Sequence, residues 1–238
     1  MDVRFPSGII KHMRKNKFVT GEFYHVYNRG TDKRRVFIDE YDYGRFLQSM
    51  EEFNSLKPIG SIYENSFVKI NMERQFGNRT SKFKQPLVKI VCYHLNANHF
   101  HLILRQEAKN GISEYLKRVA GGYTKYFNSR WRRNGVLFQG KFKANHISSN
   151  EYLLHLSAYV NLNDRLHTKT SQLEKNKNRS SWHQYTEILT NPIIPCSTNI
   201  ILDQFKNQKK YELFALESLK SIKERKKQDK ELVDILID

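Results

Sequence analysis

The sequence has little of what would tie a protein to the secretory pathway or to a membrane. Only two cysteines, Cys92 and Cys196, occur in 238 residues. They are too few and too far apart for a disulfide framework or a thiolate zinc site, and they fit a reducing compartment. No apolar run approaches the roughly 20 residues that a transmembrane helix needs, and the N-terminus has no apolar signal-peptide core. We therefore expect a cytoplasmic protein with no membrane partner.

Acidic residues are also scarce relative to basic ones. The chain has 41 Lys and Arg against 24 Asp and Glu, a formal net charge of +17, and the basic residues are spread over most of its length. This pattern favours a polyanionic partner, nucleic acid ahead of an acidic membrane surface. A highly soluble basic protein without such a partner is the alternative. Because 39% of the residues are hydrophobic and 13% aromatic, we expect a folded chain.

The order of the predicted elements indicates an α+β domain. The hydrophobic patterns predict strands at 23–27, within 87–106 (two, paired) and at 136–147, and helices at 39–56, at 111–132 and from about Glu151 onwards. In chain order this is strand, helix, strand, strand, helix, strand, helix. That order fits an antiparallel sheet with helices, of the ferredoxin-like type.

Four further segments complete the predicted organisation. Residues 1–20 form a basic N-terminal arm, and residues 21–195 form the main domain. Within that domain, residues 57–85 are polar, have little periodicity and predict a long loop or insertion. Residues 196–238 form a C-terminal tail, in which 199–227 have the pattern of an amphipathic helix.

Two histidines occupy alternate positions at the start of a predicted strand. His99 and His101 follow the polar turn at residues 96–98. Because side chains alternate between the faces of a strand, both project to the same side, about 7 Å apart at the backbone. Two such imidazoles can share a metal ion, although a His-x-His pair is often only two solvent-facing or hydrogen-bonded residues.

A tyrosine and an asparagine in the last helix of the domain are candidate partners of the histidines. Tyr159 and Asn163 are four residues apart and so share a helical face. If this face packs beside His99 and His101, two imidazoles and an amide oxygen surround one site next to a phenol. Such a donor set suits Mg²⁺ or Mn²⁺ better than Zn²⁺ and would serve phosphoryl transfer. The rival nucleophiles are Tyr123 and Tyr126.

Several stretches resemble, in order and in kind, the HUH single-strand DNA transposases and, more narrowly, the REP-associated tyrosine transposases. The resemblance covers roughly residues 20–190, and the stretches that carry it are 24–30, 96–104, 123–128, 135–143, 152–154, 159–163 and 181–182. It implies a metal-dependent DNA strand transferase in which His99, His101 and Asn163 hold the ion. It also implies that Tyr159 attacks single-stranded DNA, forming a 5′-phosphotyrosine and releasing a 3′-hydroxyl. Two departures are Asp164, where a proline is common, and Asn161, where many members have an acidic residue.

The same resemblance implies single-stranded or hairpin DNA, such as REP-like palindromes, as the partner. The predicted DNA-binding residues are Arg29, Lys117, Arg118, Tyr123, Lys125, Lys141 and Lys143. Two other functions stay open, a replication-initiation or relaxase-like nickase and a non-enzymatic nucleic-acid-binding module on the same fold. The sequence leaves open whether the protein is a monomer or a homodimer.

Overall fold

A four-stranded antiparallel sheet organises the chain. The computed structural model describes residues 17–76, 85–166, 179–187 and 192–235, so most of the predicted arm at 1–20 lies outside the described residues. The strands are β1 (Phe23–Arg29), β2 (Val88–Asn96), β3 (His99–Gln106) and β4 (Lys143–His146). Their spatial order is β2-β3-β1-β4, and each neighbouring pair is antiparallel. The predicted α+β, ferredoxin-like fold is confirmed.

Seven α-helices accompany the sheet in the described ranges. They are α1 (Glu40–Glu52), α2 (Ile62–Phe76), α3 (Gly111–Arg130), α4 (Asn150–Asn161), α5 (Trp182–Thr186), α6 (Asn199–Leu202) and α7 (Gln208–Ile235). Side-chain caps fix the starts of several of them, among them α1 and α4. Asp39 accepts a hydrogen bond from the Asp42 amide, and Ser149 accepts one from the Tyr152 amide. None of the helices in these ranges is long and apolar enough to cross a bilayer.

The alternation of side chains along β3 divides the core into two layers. Phe100, Leu102 and Leu104 point to one face, which α1 and α3 cover (the α1/α3 face). Ile103 points to the other face, which α4 covers, with α5 and α7 packed beyond it (the α4 face). His99 and His101 share the parity of Ile103, so the fold places both on the α4 face.

The segment 57–85, predicted as a loop or insertion, contains helix α2. Its start is a reciprocal capping box, because the Ser61 hydroxyl accepts from the Glu64 amide and the Glu64 carboxylate accepts from the Ser61 amide. The weak hydrophobic periodicity hid this helix, although the Ser-x-x-Glu spacing was a signal for it. The loop prediction is wrong for 62–76.

Two other boundaries differ from the predictions. The strand predicted at 136–147 is regular only from Lys143, because Gly140 adopts a positive φ angle of 66° that interrupts an extended chain. The helix predicted at 199–227 is two helices, α6 and α7. The Asn207 side chain accepts from the Lys210 amide and starts the second of them.

Candidate active site

The strand register gathers histidine and tyrosine side chains on the α4 face. Tyr27 of β1 lies directly opposite His101 of β3, and their rings stack with centroids 5.7 Å apart. His99 and His101 meet edge to face, with centroids 5.1 Å apart. His25, two residues before Tyr27, places its ring 5.1 Å from that of His101. The predicted pairing of His99 and His101 on one face is therefore present in the structure.

Hydrogen bonds determine which nitrogen of His99 carries the proton. Its Nδ1 lies 2.6 Å from the carbonyl oxygen of the Asn98 side chain. A carbonyl oxygen only accepts, so Nδ1 is the donor and, in the neutral ring, Nε2 keeps a lone pair. That lone pair faces the amide NH₂ of Asn96, 3.0 Å away. The same NH₂ group donates to Oδ1 of Asn163 at 2.9 Å. An imidazole nitrogen and an amide oxygen thus converge on one electropositive group.

His101 is oriented by a second, buried histidine. His25 Nε2 and His101 Nδ1 are 2.9 Å apart, so one ring donates to the other. Burial lowers the pKa of His25 to about 4, so at neutral pH this ring is uncharged and offers one donor and one acceptor. If His25 accepts, His101 keeps its proton on Nδ1 and has a lone pair on Nε2, the arrangement that a metal-binding histidine needs.

Tyr159 lies beside both of these rings. Its ring is perpendicular to that of His101, with centroids 5.7 Å apart, and to that of His25, at 6.3 Å. Burial raises the pKa of the half-buried Tyr159 phenol, and a polar contact with the Asn163 side chain partly offsets the rise. The phenol is therefore protonated at neutral pH in the protein alone.

Asn163 reaches the site from just beyond the helix. Helix α4 ends at Asn161, and Asn163 begins a 3₁₀ turn (Asn163–Leu166). The prediction that Tyr159 and Asn163 share a helical face is wrong in this detail. The predicted proximity holds, because the tighter turn still brings the buried Asn163 side chain to Tyr159 and to Asn96.

A buried polar network anchors the C-terminal end of α4. The Asn161 carbonyl accepts from the Ser180 hydroxyl at 2.8 Å and makes a polar contact with the His94 ring, and its side-chain oxygen accepts from the Ser181 hydroxyl at 2.6 Å. The Asn161 side-chain nitrogen donates to the hydroxyl of Tyr211 on α7 at 2.9 Å. Asn161 and Tyr211 are both fully buried. These bonds join α4 to β2, to the segment before α5 and to α7.

The donor atoms of the site determine which metal ions could bind there. The described residues contain no group of three or more His, Cys, Asp or Glu side chains arranged to hold a metal ion. The candidate set is instead two imidazoles, from His99 and His101, and the amide oxygen of Asn163. This set fits an ion that keeps several positions for water or phosphate oxygens, which is typical of Mg²⁺ and Mn²⁺.

Comparison with known protein families agrees with this geometry. Residues 61–163 match the family described as IS200-like transposases, and the match contains His99, His101, Tyr159 and Asn163. Over these residues the chain is similar to IS200-like transposases. No curated protein matches the chain.

Two solved structures are similar to this chain. One is a REP-associated tyrosine transposase bound to a REP hairpin, with 13% sequence identity and a TM-score of 0.46, where the match covers 79% of this chain and 93% of that one. The other is a candidate transposase from Deinococcus radiodurans R1, with 15% identity and a TM-score of 0.32, covering 63% of this chain and 95% of that one.

Two of the cations predicted to bind DNA lie on the same face of the sheet as the candidate site. Arg29 is opposite His99 and Lys143 is opposite Tyr27 in the strand register, so both belong to the α4 face. Arg29 is exposed and donates to the Gln139 side chain. Lys143 and Lys141 are exposed, and Lys141 lies in the irregular segment before β4.

The four predicted DNA-binding residues on α3 lie on the opposite side of the sheet. Helix α3 packs on the α1/α3 face, so Lys117, Arg118 and Lys125 are separated from Tyr159 by the sheet. Arg118 also has a structural role, since it donates to Glu114 and to the Ser55 carbonyl. Tyr123 is fully buried and donates to the Val36 carbonyl at 2.6 Å. Its prediction as a base-stacking residue is wrong.

Sequence reasoning missed the residues that hold the site together. Asn96, His25, Asn161 and Tyr211 were not predicted as site residues, although each makes a hydrogen bond in or next to the site. The only signal in the sequence was the alternation of side chains between the two faces of a strand. His25 and Asn96 alternate with apolar residues in their strands and therefore face the same side as the histidine pair.

Proposed function

We propose that the chain is a metal-dependent transposase of single-stranded DNA, of the REP-associated tyrosine class, in which Tyr159 is the nucleophile. The observation that carries this proposal is the convergence of Tyr159 and Asn163 on His99 and His101. His99 and His101 lie on β3, whereas Tyr159 lies on α4 and Asn163 just beyond its end, so residues far apart in the chain meet at one place. His101 and Asn163 are buried, and His99 and Tyr159 are half-buried. Clusters of this kind are typical of functional sites.

His99, His101 and Asn163 are the residues that would hold the cation. Each of them has a partner that orients it, Asn98 for His99, His25 for His101 and the Asn96 amide for Asn163. Fixed outer contacts of this kind orient ligands and set their tautomers. When bound, Mg²⁺ or Mn²⁺ would act as a Lewis acid that polarises the scissile phosphate and neutralises developing charge.

Tyr159 forms the covalent link in this proposal. Its phenol oxygen attacks the phosphorus, a Tyr159–O–P bond forms and the P–O3′ bond breaks. The phenol loses its proton and the leaving oxygen gains one, so the products are a 5′-phosphotyrosine and a free 3′-hydroxyl. In strand transfer, a 3′-hydroxyl attacks this phosphotyrosine and regenerates the phenol. The raised pKa of Tyr159 means that loss of its proton has to be assisted by the charges present in the complex.

The substrate proposed is single-stranded DNA with a hairpin, such as a REP-like palindrome. The net charge of +17 supports a polyanionic substrate. The exposed Arg29 and Lys143 are suited to hold phosphates next to Tyr159, because the register places both on the α4 face. This half of the proposal also draws on the resemblance of the sequence motifs.

A covalent-adduct assay tests the proposal. The protein is incubated with an array of labelled hairpin oligonucleotides and Mg²⁺ or Mn²⁺, and covalent products are separated on a denaturing gel. We expect an adduct with wild-type protein, none with Tyr159→Phe or without the cation, and nearly unchanged DNA binding by Tyr159→Phe. Strand-transfer products would separate a transposase from a simple nickase.

Tyr126→Phe is the matched control, because Tyr126 was a rival nucleophile and lies on the α1/α3 face. An adduct that survives Tyr159→Phe and disappears with Tyr126→Phe would show that the nucleophile is misassigned. Nucleic-acid binding that is unaffected by His99→Ala and His101→Ala, with no adduct on any hairpin, would favour the non-enzymatic module.

A further inference from the structure

A groove of about 510 Å³ lies between α1 and α3, on the face of the sheet opposite Tyr159. It is lined by Glu40, Tyr41, Gly44, Arg45, Gln48 and Tyr126. None of these residues takes part in the site described above. The groove is open to solvent and has two aromatic rings and an arginine among its six lining residues. Aromatic rings beside a cation are typical of surfaces that bind unpaired nucleotides.

An arginine next to the groove holds both tyrosines in place. The Arg130 guanidinium donates to the Tyr126 hydroxyl at 3.2 Å and lies over the Tyr41 ring, 5.2 Å from its centroid. Arg130 is itself fixed by two hydrogen bonds of 2.7 Å to Asp39 and one of 2.9 Å to Asp42. Tyr41 nevertheless remains 77% exposed. Its ring is thus a fixed and accessible aromatic surface. A ligand that stacks on it therefore costs little conformational entropy in the protein.

Arg45 brings a positive charge to the groove. Its Nε has no hydrogen-bond partner among the described residues, but this atom is shielded from solvent and is not open to a ligand. Its Nη1 donates to Gln48 at 3.2 Å, and the guanidinium lies 5.3 Å from the centroid of the Tyr126 ring. The one carboxylate of the groove, that of Glu40, is paired with Arg179. The groove therefore suits an anionic group.

Gly44 leaves open space on the α1 side of the groove. A Cβ built on it would meet no atom of the described structure within 4 Å. Because Gly44 lines the groove, a larger side chain at this position would occupy space that a ligand needs.

We propose that this groove binds one unpaired nucleotide of single-stranded DNA, with its base stacked on Tyr41 and its phosphate held by Arg45. The identity of the ligand rests on the proposed function, whereas the groove and its chemistry do not. A base has the flat π surface that an exposed tyrosine recognises, and binding in this way tolerates any sequence. The groove is thus a second DNA contact behind the catalytic sheet.

Filling the groove provides the test. Gly44→Leu projects a side chain into the groove from α1, while Gly121→Leu adds the same group to α3, where a Cβ also meets nothing within 4 Å among the described residues. Both replacements are expected to raise the melting temperature, because leucine favours helix over glycine. Binding of fluorescein-labelled oligo-dT is measured by anisotropy. We expect Gly44→Leu to bind about tenfold more weakly than Gly121→Leu, equivalent to about 1.4 kcal/mol, which is within the range for one stacked base.

Photocrosslinking with 4-thiothymidine in the same oligonucleotide gives the second measurement. Crosslinks at Tyr41 or Tyr126 that disappear in Gly44→Leu support the groove, as does a similar loss of affinity in Tyr41→Ala. Equal oligo-dT affinities of the two leucine variants, or crosslinks confined to the α4 face, would overturn the proposal that the groove binds DNA. An absent covalent adduct in the wild-type hairpin assay would instead refute the proposed function, because oligo-dT binding requires no catalysis.

Discussion

The buried network at the end of α4 predicts that a hydroxyl on the C-terminal helix controls the placement of Tyr159. Tyr211→Phe removes the oxygen that accepts from Asn161 and that lies 3.1 Å from the Ser157 hydroxyl, while keeping the buried ring. Ser157 retains its bond to the Leu154 carbonyl, so the main loss is an unpaired, buried Asn161 nitrogen. Leaving a buried donor unpaired costs about 1–3 kcal/mol, which is the expected loss of unfolding free energy.

The Tyr211→Phe variant should form the covalent adduct more slowly than its loss of stability alone would explain. Asn161 is two residues after Tyr159, and its carbonyl and side chain make the bonds that hold the end of α4 to β2 and to the segment before α5. Freed from Tyr211, this end of the helix gains room to shift. A misplacement of about 1 Å can cost on the order of a hundredfold in rate. We therefore expect the adduct to form about ten- to a hundredfold more slowly at saturating DNA.

Tyr115→Phe is the matched control for this variant. Tyr115 is also fully buried, and its hydroxyl donates to a backbone carbonyl, that of Met50, at 3.1 Å, but it lies on the α1/α3 face. Urea melts of both variants should show losses of similar order, while single-turnover adduct rates should fall only for Tyr211→Phe. Equal adduct rates in the two variants would show that the network around Asn161 stabilises the fold without positioning Tyr159.

Three further outcomes follow from burial and close contacts. Burial lowers the pKa of His94 to about 3 from an ordinary value of 6.5, so the protein is most stable with His94 neutral, above about pH 6.5, and loses stability as the pH falls. By about pH 4.5 the loss of unfolding free energy is about 3 kcal/mol. Urea melts of His94→Gln should show a smaller loss of stability at acid pH than those of the wild type. Because the pKa of Tyr159 is raised, the adduct rate at saturating cation should rise with pH through the alkaline range, and a flat profile would contradict its role. Alanine at two adjacent glycines should change the melting temperature in opposite directions. Gly121→Ala should stabilise the protein by about 1 kcal/mol, because it adds helix propensity in open space. Gly122→Ala should destabilise it by about 1–3 kcal/mol, because its Cβ would meet the Phe53 ring at 2.7 Å.

Local patterns were sufficient to predict most of the fold. The alternation of apolar residues in 87–106 and the helical spacing in 111–132 correspond to β2, β3 and α3 within two residues of their ends. Where prediction failed, a local signal was outweighed or overlooked. Gly140 shortened the last strand, and a capping box started a helix in 57–85 that periodicity does not show. Both are features of single residues, to which a pattern averaged over a window is insensitive.

The candidate site could likewise be predicted only where it depends on patterns within single elements. Strand parity was enough to predict that His99 and His101 share a face, and helical spacing brought Asn163 near Tyr159 even though the helix ends earlier. The role of Asn96 depends on a turn and on the end of α4 at once, since its NH₂ group bonds to both His99 and Asn163. No pattern within one element contains that information.

The placement of cations on both faces constrains how one DNA strand could reach them. The groove at Tyr41 lies behind the sheet, whereas Arg29 and Lys143 lie on the side of Tyr159. A strand that contacts both sides has to pass an edge of the sheet. The β2 edge is occupied, because the Ser181 and Ser197 amides donate to carbonyls of that strand. The β4 edge is four residues long and bears the exposed Lys143, so among the described residues it is the open route between the groove and the tyrosine.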